Sequence, residues 1–364
     1  MEEKSKHKIS AYIFTSIIVV VCGWSAFWVG VNGIKVALTK SGHISFKSAA
    51  VTGKVPAIVS PSPASSDTAS IFDAMLPKRS SEISIMIAGD VMLDRGVRSL
   101  GRKYGYESLF EAVAPLFKKA DITAVNLEGP ITGNASKTLL PDGKTSKELT
   151  FTFATTTAKA LEDAGISIVS LANNHTDNFG SSGLKETKDW LDRAGIKWFG
   201  SPWNSSSTES VIVKNGVTVA FVGYHAFEPG FDRVLKTVKS LSEKEDFVIV
   251  MPHWGAEYAT SSSEKMRAQA RSLADAGAKA IFGSHPHVIL DREWLGDVPV
   301  FYSLGNLLFD QFFSPEVMQG NIVELDLKKD QDGTRINGIK VYETSTASRK
   351  GISLETKADE FVKP

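Results

Sequence analysis

Two hydrophobic periods alternate along this chain after a long apolar opening. Ile9 to Ile34 contains no charged residue and is long enough to cross a bilayer as a helix. From Ser81 onward, short β-branched runs read as strands: Ile83 to Ala88, Asp121 to Asn126, Ile166 to Leu171, Phe247 to Met251 and Ala280 to Phe282. Between them, Glu107 to Lys119, Thr155 to Ala164, Ser182 to Ala194 and Glu264 to Ala276 carry apolar residues at helical spacing. Val211 to Val213 and Val217 to Gly223 flank Asn215-Gly216 as a hairpin. Val300 to Leu304, Ile322 to Leu327 and Ile336 to Tyr342 alternate like antiparallel strands. Strand and helix therefore alternate first, and antiparallel strands finish the domain. That order predicts an α/β core with a largely parallel sheet.

The organisation follows from the same pattern. Residues 1–8 form a short tail, 9–34 a signal anchor and 35–80 a flexible spacer. The spacer includes the Pro/Ser/Ala-rich stretch Pro56 to Ser66. Lys4, Lys6 and Lys8 before the span, against Lys35 and Lys40 after it, place the tail in the cytoplasm and the domain outside. A cleaved signal peptide is the competing reading, but no small-x-small site closely follows the run. The folded domain occupies 81–345. Residues 131–149 form a polar loop, or lid, and 346–364 a loose tail.

Composition changes this picture little. Of 364 residues, 42% are hydrophobic and 23% charged, ordinary for a protein with a sizeable core. The formal net charge of +0 gives no electrostatic case for nucleic acid. Cys22 is the only cysteine, so no intrachain disulfide can form.

Chemistry collects at the strand ends, where open α/β sheets place their crevices. The first strand is followed by Asp90. The second ends at Asn126 and is followed by Glu128. The third leads to Asn174 and His175, the fourth to His253 and the fifth to His285 and His287. Pro286 biases His285 toward extended backbone, so the two imidazoles are expected side by side on one face. Carboxylate, amide and imidazole together suit Mn, Fe or Zn, as one or two ions. Glu128 can bridge two cations, which would clamp the oxygens of a phosphoryl group. His175 is placed to protonate a leaving group. Arg95 and Arg98 are expected to bind phosphate or a polymer carboxylate, or else to form a solvated helix face. Asn126 and Asn306 are further substrate-side or supporting candidates. His225, at another strand end, is left without a role.

Gly89-Asp90-Val91-Met92-Leu93-Asp94-Arg95, Asn126-Leu127-Glu128-Gly129-Pro130, Ala172-Asn173-Asn174-His175, His253-Trp254-Gly255-Ala256-Glu257-Tyr258, Gly283-Ser284-His285-Pro286-His287 and Tyr302-Ser303-Leu304-Gly305-Asn306 occur in this order. Together they resemble the CapA family of bacterial capsule and poly-γ-glutamate synthesis proteins. That family is related to the calcineurin-like metallophosphoesterases. The resemblance implies a two-sheet sandwich flanked by helices. It makes Asp90 the first-strand aspartate, Glu128 the bridging carboxylate, and Asn174 and His175 the ligand and general acid. His253, His285 and His287 become the remaining ligands. One departure stands out, because the wider superfamily carries a histidine where this chain has Met92. The resemblance also implies a single-pass bacterial membrane protein with its domain on the extracytoplasmic side, and capsule ligase and export subunits as partners.

Two functions follow. One is a metal-dependent hydrolase or transferase acting on the anionic polymer or a phosphorylated intermediate. The other is a non-catalytic polymer-binding or scaffold subunit, which the departure at Met92 favours and the near-zero net charge disfavours.

Overall fold

Parity sorts the first strand between two cores. In β1 (Ser81–Val91), Ile83, Ile85 and Ile87 face one buried cluster, while Met86 and Ala88 face another. A strand apolar on both faces must be covered on both, and each fully buried isoleucine contributes about 1.5–3 kcal/mol. The structure is a computed structural model and describes residues 81–140, 143–205, 209–348 and 350–363. The expected span at 9–34 and the spacer at 35–80 lie outside the described residues. Among the described residues no helix is long and apolar enough to cross a membrane.

Chain order continues with α1 (Arg95–Tyr104), a 3-10 turn at Glu107–Phe110, α2 (Ala114–Phe117), β2 (Ile122–Leu127), α3 (Thr157–Asp163) and β3 (Ile168–Ser170). Next come α4 (Gly180–Arg193), β4 (Lys197–Phe199), β5 (Glu209–Lys214), β6 (Val217–His225), α5 (Phe231–Ser242), β7 (Phe247–His253) and α6 (Glu264–Asp275). The chain closes with β8 (Ala280–Phe282), β9 (Arg292–Leu295), β10 (Val298–Phe301), β11 (Asn306–Leu308), β12 (Gln319–Asp330), β13 (Gly333–Ser345) and β14 (Ser353–Glu360).

Two mixed sheets result. The first runs β14-β13-β12-β1-β2-β3-β4, with β11 alongside β1. The second runs β5-β6-β7-β8-β10-β9. β1 to β4 pair in parallel, as do β6, β7, β8 and β10, and the remaining pairs of the two main paths are antiparallel. Ile85, Phe221, Ile249, Phe282 and Leu325 fill the space between the sheets. α1 to α4 cover the outer face of the first sheet, and α5 and α6 that of the second. Ser81 and Asp90 lie near opposite ends of β1, so the parallel strands carry their carboxyl ends away from the point where the described chain begins.

Three expectations are corrected. Glu107 to Lys119 is not one helix. Pro115 lacks the N–H and crowds the preceding turn, so only the 3-10 turn and the single turn α2 form. The last residues are not a loose tail, because β14 pairs antiparallel with β13 as an edge strand. Its Glu355, Asp359 and Glu360 are the charges an edge strand tolerates, and they give it the look of a polar tail. His285 and His287 are not extended, having φ of 95° and 60°. The hairpin forms as expected, with Asn215 and Gly216 at φ of 48° and 79°.

Candidate metal centre

The carboxyl ends of β1, β2, β3, β7 and β8 converge on one crevice. Close backbone crossings make this convergence possible. A Cβ on Gly89 would lie 1.9 Å from the Gly305 carbonyl oxygen, and one on Gly283 would lie 2.1 Å from that of Tyr302. Only glycine fits at either crossing. Each glycine therefore lets a strand end, and the ligand-type residue after it, reach the middle of the fold.

Asp90, Glu128 and His253 are buried and offer ligand atoms that lie within 4.8 Å of one another. Glu257, His285 and His287 form a second such group, in which Glu257 is exposed. The two groups interlock. His287 sets Nδ1 3.3 Å from Asp90 Oδ2 and Nε2 3.5 Å from Glu128 Oε1. His285 places Nδ1 3.1 Å from His253 Nε2 and donates its backbone N–H to Asp90 Oδ2. Asn174 Oδ1 lies 2.8 Å from His253 Nε2. The positive φ of His285 and His287 turns the two rings inward, with centroids 5.9 Å apart. Such backbone is costly for non-glycine residues and clusters at functional sites.

The electrostatics are those of a donor set short of positive charge. Burial, then Asp90 beside it, holds Glu128 well above the usual carboxylate range. Burial, then His285, pushes His253 well below the usual imidazole value. His285 is pushed down to about 4 by burial and by His287. Burial opposes charge on His287 too, yet Glu128 and Asp90 push it up to about 9. A divalent cation among these groups would satisfy both carboxylates without a proton. The set holds carboxylates and imidazoles and no thiolate, which fits Mn, Fe or Zn.

The surrounding residues divide into those that hold the donors and those committed elsewhere. Asn306 Oδ1 sits 3.1 Å from His287 Nδ1, while its amide donates to the carbonyls of His287 and Val317 and to Gln311. Both neighbours of His287 Nδ1 are acceptors, so Nδ1 keeps a proton and Nε2, facing Glu128, is the nitrogen a metal would take in place of its proton. Asn126 is buried, and its Nδ2 donates to Asp90 Oδ1 at 2.7 Å. It orients the donors and has no free amide to offer a ligand. Arg98 is buried against Asp94, with Nε 2.8 Å from Oδ1, and also donates to the Thr152 carbonyl. Asp94 in turn accepts from Ser136, Thr138 and the backbone of Thr152, so the pair ties these residues to the start of α1. Arg95 is half-buried, paired with Asp310, and lies over the rings of Phe151 and Phe309 at 5.0 and 5.4 Å.

His175 stacks on Phe151 with centroids 4.3 Å apart, and its Nδ1 lies 3.2 Å from Asn178 Oδ1. That oxygen only accepts, so the neutral ring carries its proton on Nδ1. Burial pushes His175 down to about 4. The mouth of the crevice is aromatic. Phe227 meets His285 edge-on at 4.6 Å, and Tyr258 meets Phe313 at 5.1 Å. His225, left without a role by the sequence, gives its Nδ1 to the Pro202 carbonyl at 2.7 Å. Glu257 is the residue the sequence did not single out. It stands between Gly255 and Tyr258 in a motif read chiefly for His253, and a carboxylate four residues past a strand end carries no signal of its own.

Fold and site together define a mixed α/β protein of two packed sheets whose strand-end crevice gathers metal-type donors. Residues 84–311 match the family described as Bacterial capsule synthesis protein PGA_cap, and the chain belongs to that family. It is 29% identical over 294 residues to "PGA biosynthesis protein CapA" of Bacillus subtilis (strain 168), covering 76% of each chain. It is 31% identical over 255 residues to "Capsule biosynthesis protein CapA" of Bacillus anthracis, covering 64% of this chain and 61% of that one. Among solved structures it is similar to a hypothetical protein from Thermus thermophilus. That match has a TM-score of 0.46 and 19% identity over 72% of this chain and 98% of that one.

Proposed function

We propose that the chain is a metal-dependent, phosphoesterase-like hydrolase or transferase of capsule or poly-γ-glutamate synthesis. Residues 9–34 would anchor it in the bacterial membrane with the domain outside. The observation that carries the reading is the burial of Asp90 and Glu128 side by side among His253, His285 and His287. Two adjacent buried carboxylates are costly unless a cation compensates them. A surface that only holds a polymer has no need of them.

When bound, a divalent cation supplies Lewis-acid polarisation of a phosphoryl oxygen. The chain's own residues do the rest. Asn126 and Asn306 hold Asp90 and His287 in orientation. Arg95, lying against the rings of Phe151 and Phe309 and paired with Asp310, offers the rest of its guanidinium to an anionic group at the crevice edge. His175 is neutral in the free protein at neutral pH. The negative charge of an incoming phosphodiester offsets its desolvation and favours the imidazolium that a leaving group needs.

The test is turnover of a generic phosphodiester by the purified chain after chelation and reloading with Mn2+ or Zn2+. Metal-dependent turnover lost in Asp90→Asn is the expected result. Full complementation of polymer production by a folded His285→Ala/His287→Ala chain would sink the catalytic reading in favour of a scaffold. Protease digestion of intact cells checks the topology, since a domain protected from outside would refute the extracytoplasmic assignment.

A further inference from the structure

We propose that Glu257 is the third protein ligand of an outer cation position formed with His285 and His287, which would otherwise offer two imidazoles alone. The proposal rests on the metal reading above and deepens it, giving the crevice two unlike positions.

Met92 cannot serve as a ligand there. It is fully buried in the core on the helix side of the first sheet, and its sulfur takes the Asp94 backbone N–H at 3.1 Å. The compensating donor arrives from the other sheet. Glu257 lies in the turn after β7, where Gly255 and Tyr258 have φ of 89° and 61°. Trp254 donates its backbone N–H to the Ser284 carbonyl at 3.1 Å, and Tyr258 donates to the Pro286 carbonyl at 2.8 Å. These two bonds bracket Glu257 and fasten its turn to the segment that carries His285 and His287. The carboxylate is thereby held with the two imidazoles, one ligand atom of each lying within 4.8 Å of the others.

The two positions differ in kind. Asp90, Glu128 and His253 are all buried, whereas Glu257 faces solvent. The inner position is enclosed by protein and should hold its ion tightly. The outer position has two imidazoles and one carboxylate, a donor set that leaves a coordination place open to water or substrate. It should exchange its ion faster. The outer ion is then the one that meets the substrate, and its loss leaves a folded, singly loaded protein.

The experiment uses the full chain, purified in detergent, stripped with chelator and titrated with Zn2+ alone. Bound zinc is counted by elemental analysis after gel filtration, and affinities are read by calorimetry. The parent is expected to bind two ions, one tightly and one weakly. Glu257→Gln should keep the tight ion and weaken the other by more than about 100-fold, beyond what changes outside the ligand shell produce. Glu257→His, which restores an imidazole donor, should again hold two. Asp90→Asn should lose the tight ion first. A Glu257→Gln chain that binds two ions with the parent's affinities would overturn the assignment of Glu257 while leaving the metal reading intact. A parent that takes up no zinc would overturn both.

Discussion

Asn173 donates its side-chain N–H to Asn126 Oδ1 at 3.0 Å, and this bond decides what Asn126 shows to the carboxylates. Asn173 cannot be turned over. Its own Oδ1 takes the His175 backbone N–H and the Thr176 hydroxyl, and its Nδ2 also reaches the Leu127 carbonyl. Asn126 must therefore point Nδ2 at Asp90. Replacing Asn173 with Ala strands several buried groups at once. The expected loss is on the order of 3 kcal/mol in urea unfolding, with an unchanged slope. A change within about 0.5 kcal/mol would show that the relay carries no weight.

Asn306 fixes His287 by accepting its Nδ1 proton. In Asn306→Ala the ring is free to rotate and Nε2 loses its preset direction. Zinc affinity of the folded protein should fall about 10–100-fold in a calorimetric titration. An unchanged titration would mean that packing alone orients the ring.

Arg98 and Asp94 form a pair closed to solvent. Arg98→Met leaves the Asp94 charge buried without its partner, at a cost of about 3–5 kcal/mol. Metal uptake by the fraction that remains folded should match the parent. A fully stable Arg98→Met chain with impaired anion binding would instead return Arg98 to the substrate side.

The metal-free protein should be most stable between two pH limits. Burial pushes both His175 and His285 down to about 4. The unfolded chain takes up these protons first, so their contribution is complete above about pH 6.5 and drains as pH falls toward 4. Burial opposes the charge on His287, but Glu128 and Asp90 push it up to about 9. Its contribution is complete below about pH 6.5 and is lost as pH rises through 9. Urea midpoints across this range should show both limbs, and His285→Ala should flatten part of the acid one. An unaltered acid limb in that variant would exclude His285 as its source.

Much of this architecture is legible in the sequence because buried parallel strands announce themselves as apolar runs, and ligand-type residues at their ends stand out against them. Asp90, Glu128, Asn174, His253, His285 and His287 all stand out in that way. What escapes has physical reasons. α1 is mostly polar on its outer face and buries only Val97, Arg98 and Gly101, so its period is faint. β4 and β11 are three residues each, too short for any period. α5 does carry a signal in Val234, Leu235, Val238 and Leu241, at helical spacing. The bent backbone at His285 and His287 is not legible, because Pro286 biases its neighbour the other way and no residue type at these positions announces a positive φ. Side-chain allegiance is least visible of all. Arg95 and Arg98 sit three residues apart on α1, yet one lies half-buried against Phe151 and Phe309 and the other is sealed into an ion pair with Asp94.

Ser81 and Asp90 stand near opposite ends of β1, about 30 Å apart at the usual rise per residue. The backbone therefore enters the domain at the end of the strand remote from the donors. The crevice and the entry of the chain thus lie a full strand apart and draw on different residues.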